Sequence, residues 1–246
     1  VNPIIMIPAR LASTRLPNKP LAEIGGVPMI VQVLRRALEA DLCPVVVACA
    51  EIEIAEVVRA AGGVAVLTDP ALPSGSDRIY AALQNFDGGP AFRHDVVINL
   101  QGDLPLIDPS LLRAVLAPLE DERFDIGTLV APVTSAEEAG AASVVKTACA
   151  FEGDAAVAAA LYFSRHVVPS GEGVLWHHIG VYAYRRAALT RFVALPESPL
   201  ERREKLEQLR ALEAGMRIGV ARVAHAPFGV DTPADLARAR QILGTA

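Results

Sequence analysis

Through its first half the chain alternates short apolar runs with longer stretches in which apolar residues recur every three or four positions. The runs at 4–7, 45–48, 64–67, 96–100 and 126–133 predict buried strands, and the stretches at 29–40, 52–61, 77–86 and 109–120 predict amphipathic helices. Strands that alternate with helices call for right-handed crossovers, so the fold class expected is α/β: a mainly parallel, twisted sheet flanked by helices, Rossmann-like in its layering. Ligands of such sheets gather at the carboxyl ends of the strands. Start signals reinforce some of these helices. Asp108-Pro109 puts an acceptor at the N-cap with proline behind it, and Ser135 with Glu138 has capping-box spacing.

After about residue 132 the rhythm changes. Stretches at 144–150, 156–162 and 177–184 read as strands without long helices between them, which predicts a small antiparallel insert at about 132–185, suited to dimerisation. Ser198-Pro199 then opens a helix in which Leu200, Leu206, Leu209 and Leu212 recur at helical spacing, with Gly215 as its stop. A strand at 218–223 and a last helix from Thr232 to Leu243 complete one expected domain over 1–246, with no internal repeat or low-complexity tract.

The composition, 52% hydrophobic and 21% charged over 246 residues, supplies one large core. A net charge of -5 disfavours a broad nucleic-acid surface, which needs a basic stripe, so no nucleic-acid partner is expected. The apolar runs are far shorter than a membrane span, no secretory signal pattern leads the chain, and no membrane partner is expected. Cys43, Cys49 and Cys149 are odd in number and form no C-x-x-C pair, which argues against a disulfide framework or a thiolate zinc site and for a cytoplasmic setting.

Against this acidic background, the stretch from Asn2 to Ala22 holds no acidic residue. It contains Pro8-Ala-Arg-Leu-Ala-Ser-Thr-Arg-Leu-Pro-Asn-Lys-Pro20, a turn-rich loop directly behind the first apolar run. Arg10, Arg15 and Lys19 are spaced so that a loop, not one helical face, must bring them together. Such a loop can grip a polyphosphate, each cation–phosphate pair contributing roughly 4 kcal/mol at about 4 Å and an effective dielectric near 20, before desolvation. It can equally be a basic surface loop with scattered ion pairs. Neither a G-x-x-x-x-G-K-[ST] loop nor a G-x-G-x-x-G turn is present.

Asn99-Leu-Gln-Gly-Asp103 ends the fourth apolar run with polar residues, putting Asp103 where a carboxylate near phosphates suits Mg²⁺. The same Gly-Asp pair also reads as an ordinary turn. Asp231, in Gly229-Val-Asp-Thr-Pro233, is a ligand or a capping residue, although Thr232 is the better N-cap. Ser74-Gly75-Ser76-Asp77-Arg78 enters a helix, either to offer free amides to a base or ribose edge or simply to cap it. His177 and His178 begin a strand and so face opposite sides, which prevents joint metal binding. Trp176 reads as packing.

Read in order, these segments resemble the 3-deoxy-manno-octulosonate cytidylyltransferase (CMP-Kdo synthetase) family nearly end to end. The specific matches are the opening loop, Gln101-Gly-Asp103, Ala160-Leu-Tyr-Phe-Ser-Arg165, His178-Ile-Gly-Val-Tyr182, Leu206-Glu-Gln-Leu-Arg210 and Gly229-Val-Asp-Thr-Pro233. The resemblance implies a nucleotidyltransferase α/β domain with a dimerisation insert, a homodimer in the cytoplasm. It implies transfer of CMP from CTP to Kdo with Mg²⁺ and release of pyrophosphate, the product serving lipopolysaccharide biosynthesis. It implies that Arg10, Ser13, Arg15, Lys19, Ser74, Gly75, Arg78 and Gln101 bind CTP, with Lys19, Arg10 and Asp103 catalytic. Asp103 and Asp231 would hold the metal; Gln101, Arg165, His178, Tyr182, Glu207 and Gln208 would form the Kdo pocket. Two departures stand out. Leu104 follows Asp103 where the family commonly has Glu, removing one carboxylate, and Ser76-Asp77 replaces the more familiar Thr-Glu.

Two other functions fit the same residues. A cytidylyltransferase for 8-amino-Kdo or sialic acid would share the phosphate loop and the carboxylates, sialic acid differing at His178, Tyr182 and Glu207–Gln208. A nucleotide-sensing module would keep the fold without turnover.

Overall fold

A computed structural model of the chain describes residues 1–13, 15–87 and 93–244. Thr14 of the opening loop lies outside them. In chain order the elements are β1 (Pro3–Ala9), a 3-10 turn (Lys19–Leu21), β2 (Glu23–Ile24), β3 (Val27–Pro28), α1 (Met29–Glu39), β4 (Val45–Cys49), α2 (Ile52–Ala60), β5 (Val64–Leu67), α3 (Gly75–Phe86), β6 (Val96–Asn99) and α4 (Ser110–Ala114). There follow a 3-10 turn (Ala117–Glu120), β7 (Ile126–Pro132), α5 (Ala136–Gly140), β8 (Lys146–Cys149), β9 (Val157–Ser164) and β10 (Trp176–Arg185). The chain closes with α6 (Arg186–Val193), α7 (Pro199–Glu204), α8 (Leu209–Glu213), β11 (Ile218–Arg222) and α9 (Pro233–Gly244).

The chain divides into two compact units, one of Val1–Leu112 with Pro227–Ala246, the other of Arg113–Ala226. In the first, β5, β4, β1 and β6 lie side by side and all parallel, with Ile5 opposite Val45 on one side and Ile98 on the other. β1 and β4 are buried almost throughout because apolar residues occupy both faces. β5 differs from its expected burial: Val64 is 47% exposed and Leu67 41%, since the strand lies outermost, with β4 as its one neighbour among the described residues. Gly25 and Gly26, both with positive φ, make the tight turn between β2 and β3, a hairpin absent from the sequence reading.

In the second unit the order is β10, β7, β11, β9, β8, with β7 and β11 parallel and the other pairs antiparallel. The antiparallel strands expected after residue 132 are therefore present: β10 pairs with β7, β9 with β11, and β8 with β9 and β10. The expected helix 109–120 is instead α4 followed by a 3-10 turn. Pro118 has no N–H for a helical bond and disfavours the α conformation at Ala117, and the bonds from Leu116 to Arg113 and from Leu119 to Leu116 span only three residues. The expected helix from Ser198 to Gly215 is likewise two, α7 and α8, broken at Lys205, whose φ is 57°. Its start is as expected: Ser198 and Glu201 form a complete capping box.

Candidate active site

The parallel strands of the first unit carry their polar ends into one cavity of ≈ 370 Å³, lined among others by Arg10, Ser13, Arg15, Lys19, Ser74, Gly75, Arg78, Gln101, Asp103 and Asp231. Every residue expected at CTP and both expected metal carboxylates thus share one wall system within one unit.

Local bonds explain how the loop reaches this place. Leaving β1, the Leu11 N–H donates to Glu51 Oε2 at 2.9 Å, and the Leu16 N–H reaches back to Ser13 Oγ at 3.4 Å. Leu16 is buried in a cluster with Ile24, Met29, Val230, Leu236 and Ala239. This apolar anchor fixes the cationic loop against the segment that carries Asp231. Asn18, a residue that tolerates the left-handed region, has φ 55° and turns the chain into the 3-10 turn at Lys19. On the opposite side, the Val230 N–H donates to the Asp103 carbonyl at 2.9 Å, tying the two acidic segments together.

The result is a compact charge centre. Lys19 Nζ lies 2.9 Å from Asp103 Oδ2 and 3.0 Å from Asp231 Oδ1, and Arg15 lies 3.2 Å from the same Asp231 oxygen. Burial works to lower the Lys19 pKa, but the two carboxylates outweigh it and the net shift is upward. Lys19 is therefore a fixed cation at neutral pH. Asp103 and Asp231 converge on a single cation point, and two hard oxygen donors are a number that suits Mg²⁺, an ion that keeps water or phosphate oxygens in its other positions. Leu104, standing where a further carboxylate would be, is buried beside Gly229 and adds no charge.

Two glycines permit the close approaches. A Cβ on Gly102 would sit 3.0 Å from the Pro8 carbonyl, and one on Gly75 would sit 3.3 Å from the Pro8 ring. Ser74 is indeed the N-cap of α3, accepting from the Asp77 N–H, and it lines the cavity as well. Arg78 is buried, and its guanidinium donates to Thr68 Oγ1 at 2.7 Å and to the carbonyls of Asp69 and Pro70. Its visible role is to hold the 68–70 loop. Arg10 is exposed, and Gln101 donates to Asn99 Oδ1 at 3.0 Å. Thr232 caps α9, and Asp235 returns bonds to the N–H groups of Asp231 and Thr232, leaving the Asp231 carboxylate to Lys19 and Arg15.

The remaining expected residues lie in the second unit. Between Ile179 and Tyr182 the pairing of β10 with β7 slips by two residues, so Tyr182 faces Thr128. Thr128 plugs this bulge. Its hydroxyl lies 2.8 Å from the Val181 carbonyl, 3.1 Å from the Ile179 carbonyl and 3.0 Å from His178 Nε2. A hydroxyl that donates to a carbonyl can only accept from the imidazole, so His178 carries its proton on Nε2. Burial holds the His178 pKa down to about 3, with His177 adding a smaller push, and the ring is neutral. His178 and Tyr182 have ring centroids 5.5 Å apart, and Phe163 packs edge-on against His178 at 4.8 Å. Burial raises the Tyr182 phenol, helped by Tyr184 and Glu207. His177 points the other way, to Glu138 at 2.8 Å, as a strand requires. Trp176 packs against Phe151 with the two rings tilted by 57°.

Gln208 is buried and Glu207 lies 3.9 Å from Arg210. Arg165 is engaged differently from a free ligand: its guanidinium donates to the carbonyls of Glu204 at 2.9 Å, Ala142 at 2.9 Å and Lys205 at 3.2 Å. Two participants escaped the sequence reading. Thr128 carries no signal in an apolar strand, whereas Lys146, fully buried, is visible as a lone cation after Val144-Val145.

The chain is similar to known proteins along nearly its whole length. A cytidylyltransferase family model matches residues 4–218. The chain is 60% identical over 242 residues to the 3-deoxy-manno-octulosonate cytidylyltransferase of Rhodospirillum centenum, covering 98% of this chain and 93% of that protein. It is also 60% identical to the protein of that name from Methylobacterium radiotolerans, covering 98% and 97%. Among solved structures, a CMP:2-keto-3-deoxy-manno-octonic acid synthetase complexed with CTP superposes with a TM-score of 0.87 at 37% identity, over 100% of this chain and 99% of that one. A cytidylyltransferase from Leptospira borgpetersenii, 17% identical with a TM-score of 0.62 over 100% and 87% of the two chains, shares the fold.

Proposed function

The chain belongs to the 3-deoxy-manno-octulosonate cytidylyltransferase family, and from that premise we propose that its cationic cavity binds CTP and that the enzyme transfers CMP to Kdo. The observation that carries the reading is the meeting of Lys19 with Asp103 and Asp231, 84 and 212 residues away in sequence, within 3.0 Å.

In this reading Arg10, Arg15 and Lys19 face the triphosphate, with Ser13 shaping the loop and Ser74, Gly75 and Gln101 at the nucleoside side. Asp103 and Asp231 would hold Mg²⁺. Among the described residues no group of three or more His, Cys, Asp and Glu could hold a metal, so an ion held by Asp103 and Asp231 would need further oxygens from its substrate or from water. Bound there, the ion neutralises phosphate charge. His178, Tyr182, Glu207 and Gln208 take the sugar acid, and Arg165 supports them.

The anomeric hydroxyl oxygen of Kdo forms a bond to the α-phosphorus of CTP. The bond from that phosphorus to the bridging oxygen breaks, pyrophosphate leaves with the electron pair, and the hydroxyl proton is released. Negative charge grows on the departing oxygen, and a permanently protonated Lys19 opposes it without reorganising. No covalent enzyme intermediate is needed. A cytoplasmic homodimer belongs to the same reading; Leu161, 71% exposed, and Val174, 58% exposed, give the segment assigned to assembly an apolar surface.

The test is pyrophosphate release with Kdo and Mg²⁺, comparing CTP with ATP, GTP and UTP. Release with CTP alone, abolished by EDTA, is expected. Preference for 8-amino-Kdo or sialic acid would reassign the sugar, and CTP binding without turnover under saturating Kdo would contradict the reading.

A further inference from the structure

Lys146 is 0% exposed at the start of β8, yet among the described residues no carboxylate accepts a hydrogen bond from its ammonium. Its ammonium donates to the carbonyls of Ala141 at 2.9 Å, Val144 at 2.7 Å and Arg165 at 2.9 Å. Three donors meet three acceptors, the complete complement for a lysine. Burial lowers its pKa, nearby Glu138 opposing the shift. A buried charge of this kind is costly to keep and contributes little to net stability against an apolar replacement. Its value lies in what it holds in place.

The Arg165 carbonyl that Lys146 binds belongs to the residue whose guanidinium binds Ala142, Glu204 and Lys205. The Glu204 carboxylate answers with bonds from Ser164 Oγ and the Arg165 N–H. Two cations and their carbonyls therefore join the 141–144 loop, the end of β9 and the left-handed turn at Lys205. Glu207 and Gln208 follow that turn directly. On the other side, the His178 N–H donates to the Val145 carbonyl at 2.8 Å, and His177 pairs with Lys146 across the strands.

The geometry points to Lys146 as a positioning residue for sugar-acid recognition: its ammonium, acting through Arg165, sets the segment of Glu207 and Gln208 and the strand of His178 in one arrangement. Being fully buried, it cannot touch the substrate itself. This inference rests on the assignment of Gln208 to the sugar acid.

The experiment is a kinetic cycle of wild type, Lys146→Met, Gln208→Ala and the double variant. Lys146→Met is expected to raise KM for Kdo by about tenfold or more while KM for CTP stays within about twofold, and its effect should be much less than additive with Gln208→Ala. An equal rise in both KM values, or full additivity, would overturn the inference while leaving the sugar-acid assignment intact. An unchanged KM for Kdo in Gln208→Ala would overturn that assignment and the inference with it. If Lys146→Met does not fold, Arg165→Lys loosens the next link of the network, the carbonyls of Ala142, Glu204 and Lys205, while keeping Lys146. It should show the same split and the same coupling to Gln208→Ala, and uniform loss or additivity would again refute the role.

Discussion

Lys19 and Lys146 are both ammonium groups drawn out of water, and their partners separate them. Carboxylates outweigh the desolvation of Lys19 and raise its pKa; carbonyls satisfy the protons of Lys146 but leave its pKa lowered. In the proposed reading one is a charge for chemistry, the other a charge for architecture. His178 shows the opposite economy, a ring kept neutral by burial. Its pKa is about 3 folded against 6.5 ordinarily, so the unfolded chain takes up a proton below pH 6.5 that the folded chain refuses. Stability from this group is complete above that pH and falls as the solution is acidified, by at most about 1.4 kcal/mol per pH unit. Urea denaturation of wild type and His178→Asn between about pH 7 and pH 5 should show the smaller acid slope in the variant. Equal slopes would mean that the imidazole protonates freely in the fold.

At the scale of elements, the central strands were legible because an apolar run buried on both faces leaves little choice of conformation. Two of the breaks were not, because their causes lie elsewhere in the chain. Lys205 adopts a left-handed conformation where Arg165, 40 residues away, holds the turn's carbonyl. The bulge in β10 is fixed by Thr128, 50 residues from His178. The Gly25-Gly26 hairpin, by contrast, carried its own local signal. Close contacts such as that of Gly219 in β11 are equally silent in sequence. A Cβ there would stand 2.7 Å from Pro118 Cβ and 2.9 Å from the Phe124 ring. Gly219→Ala is therefore expected to destabilise the protein by about 1–3 kcal/mol, as overpacked sites do. Thermal melting checks this, and an unchanged Tm would show that the 3-10 turn yields without strain.

For the whole molecule, an acidic chain of net charge -5 places three cations in one loop and brings two distant aspartates to Lys19. The sequence displayed the loop, Asp103 and Asp231 as separate candidates, each with a structural alternative. Their convergence depends on Leu16 packing with Val230 and on the Val230–Asp103 backbone bond, neither of which has a local signature. In the proposed reading this charge centre acts on the transition state of nucleotidyl transfer and not merely on nucleotide binding. Steady-state kinetics of Asp103→Asn with CTP, Kdo and Mg²⁺ tests it most directly. A fall in kcat of about 100-fold or more, with KM for CTP within about threefold, is the predicted result. A kcat close to that of the wild type would contradict it.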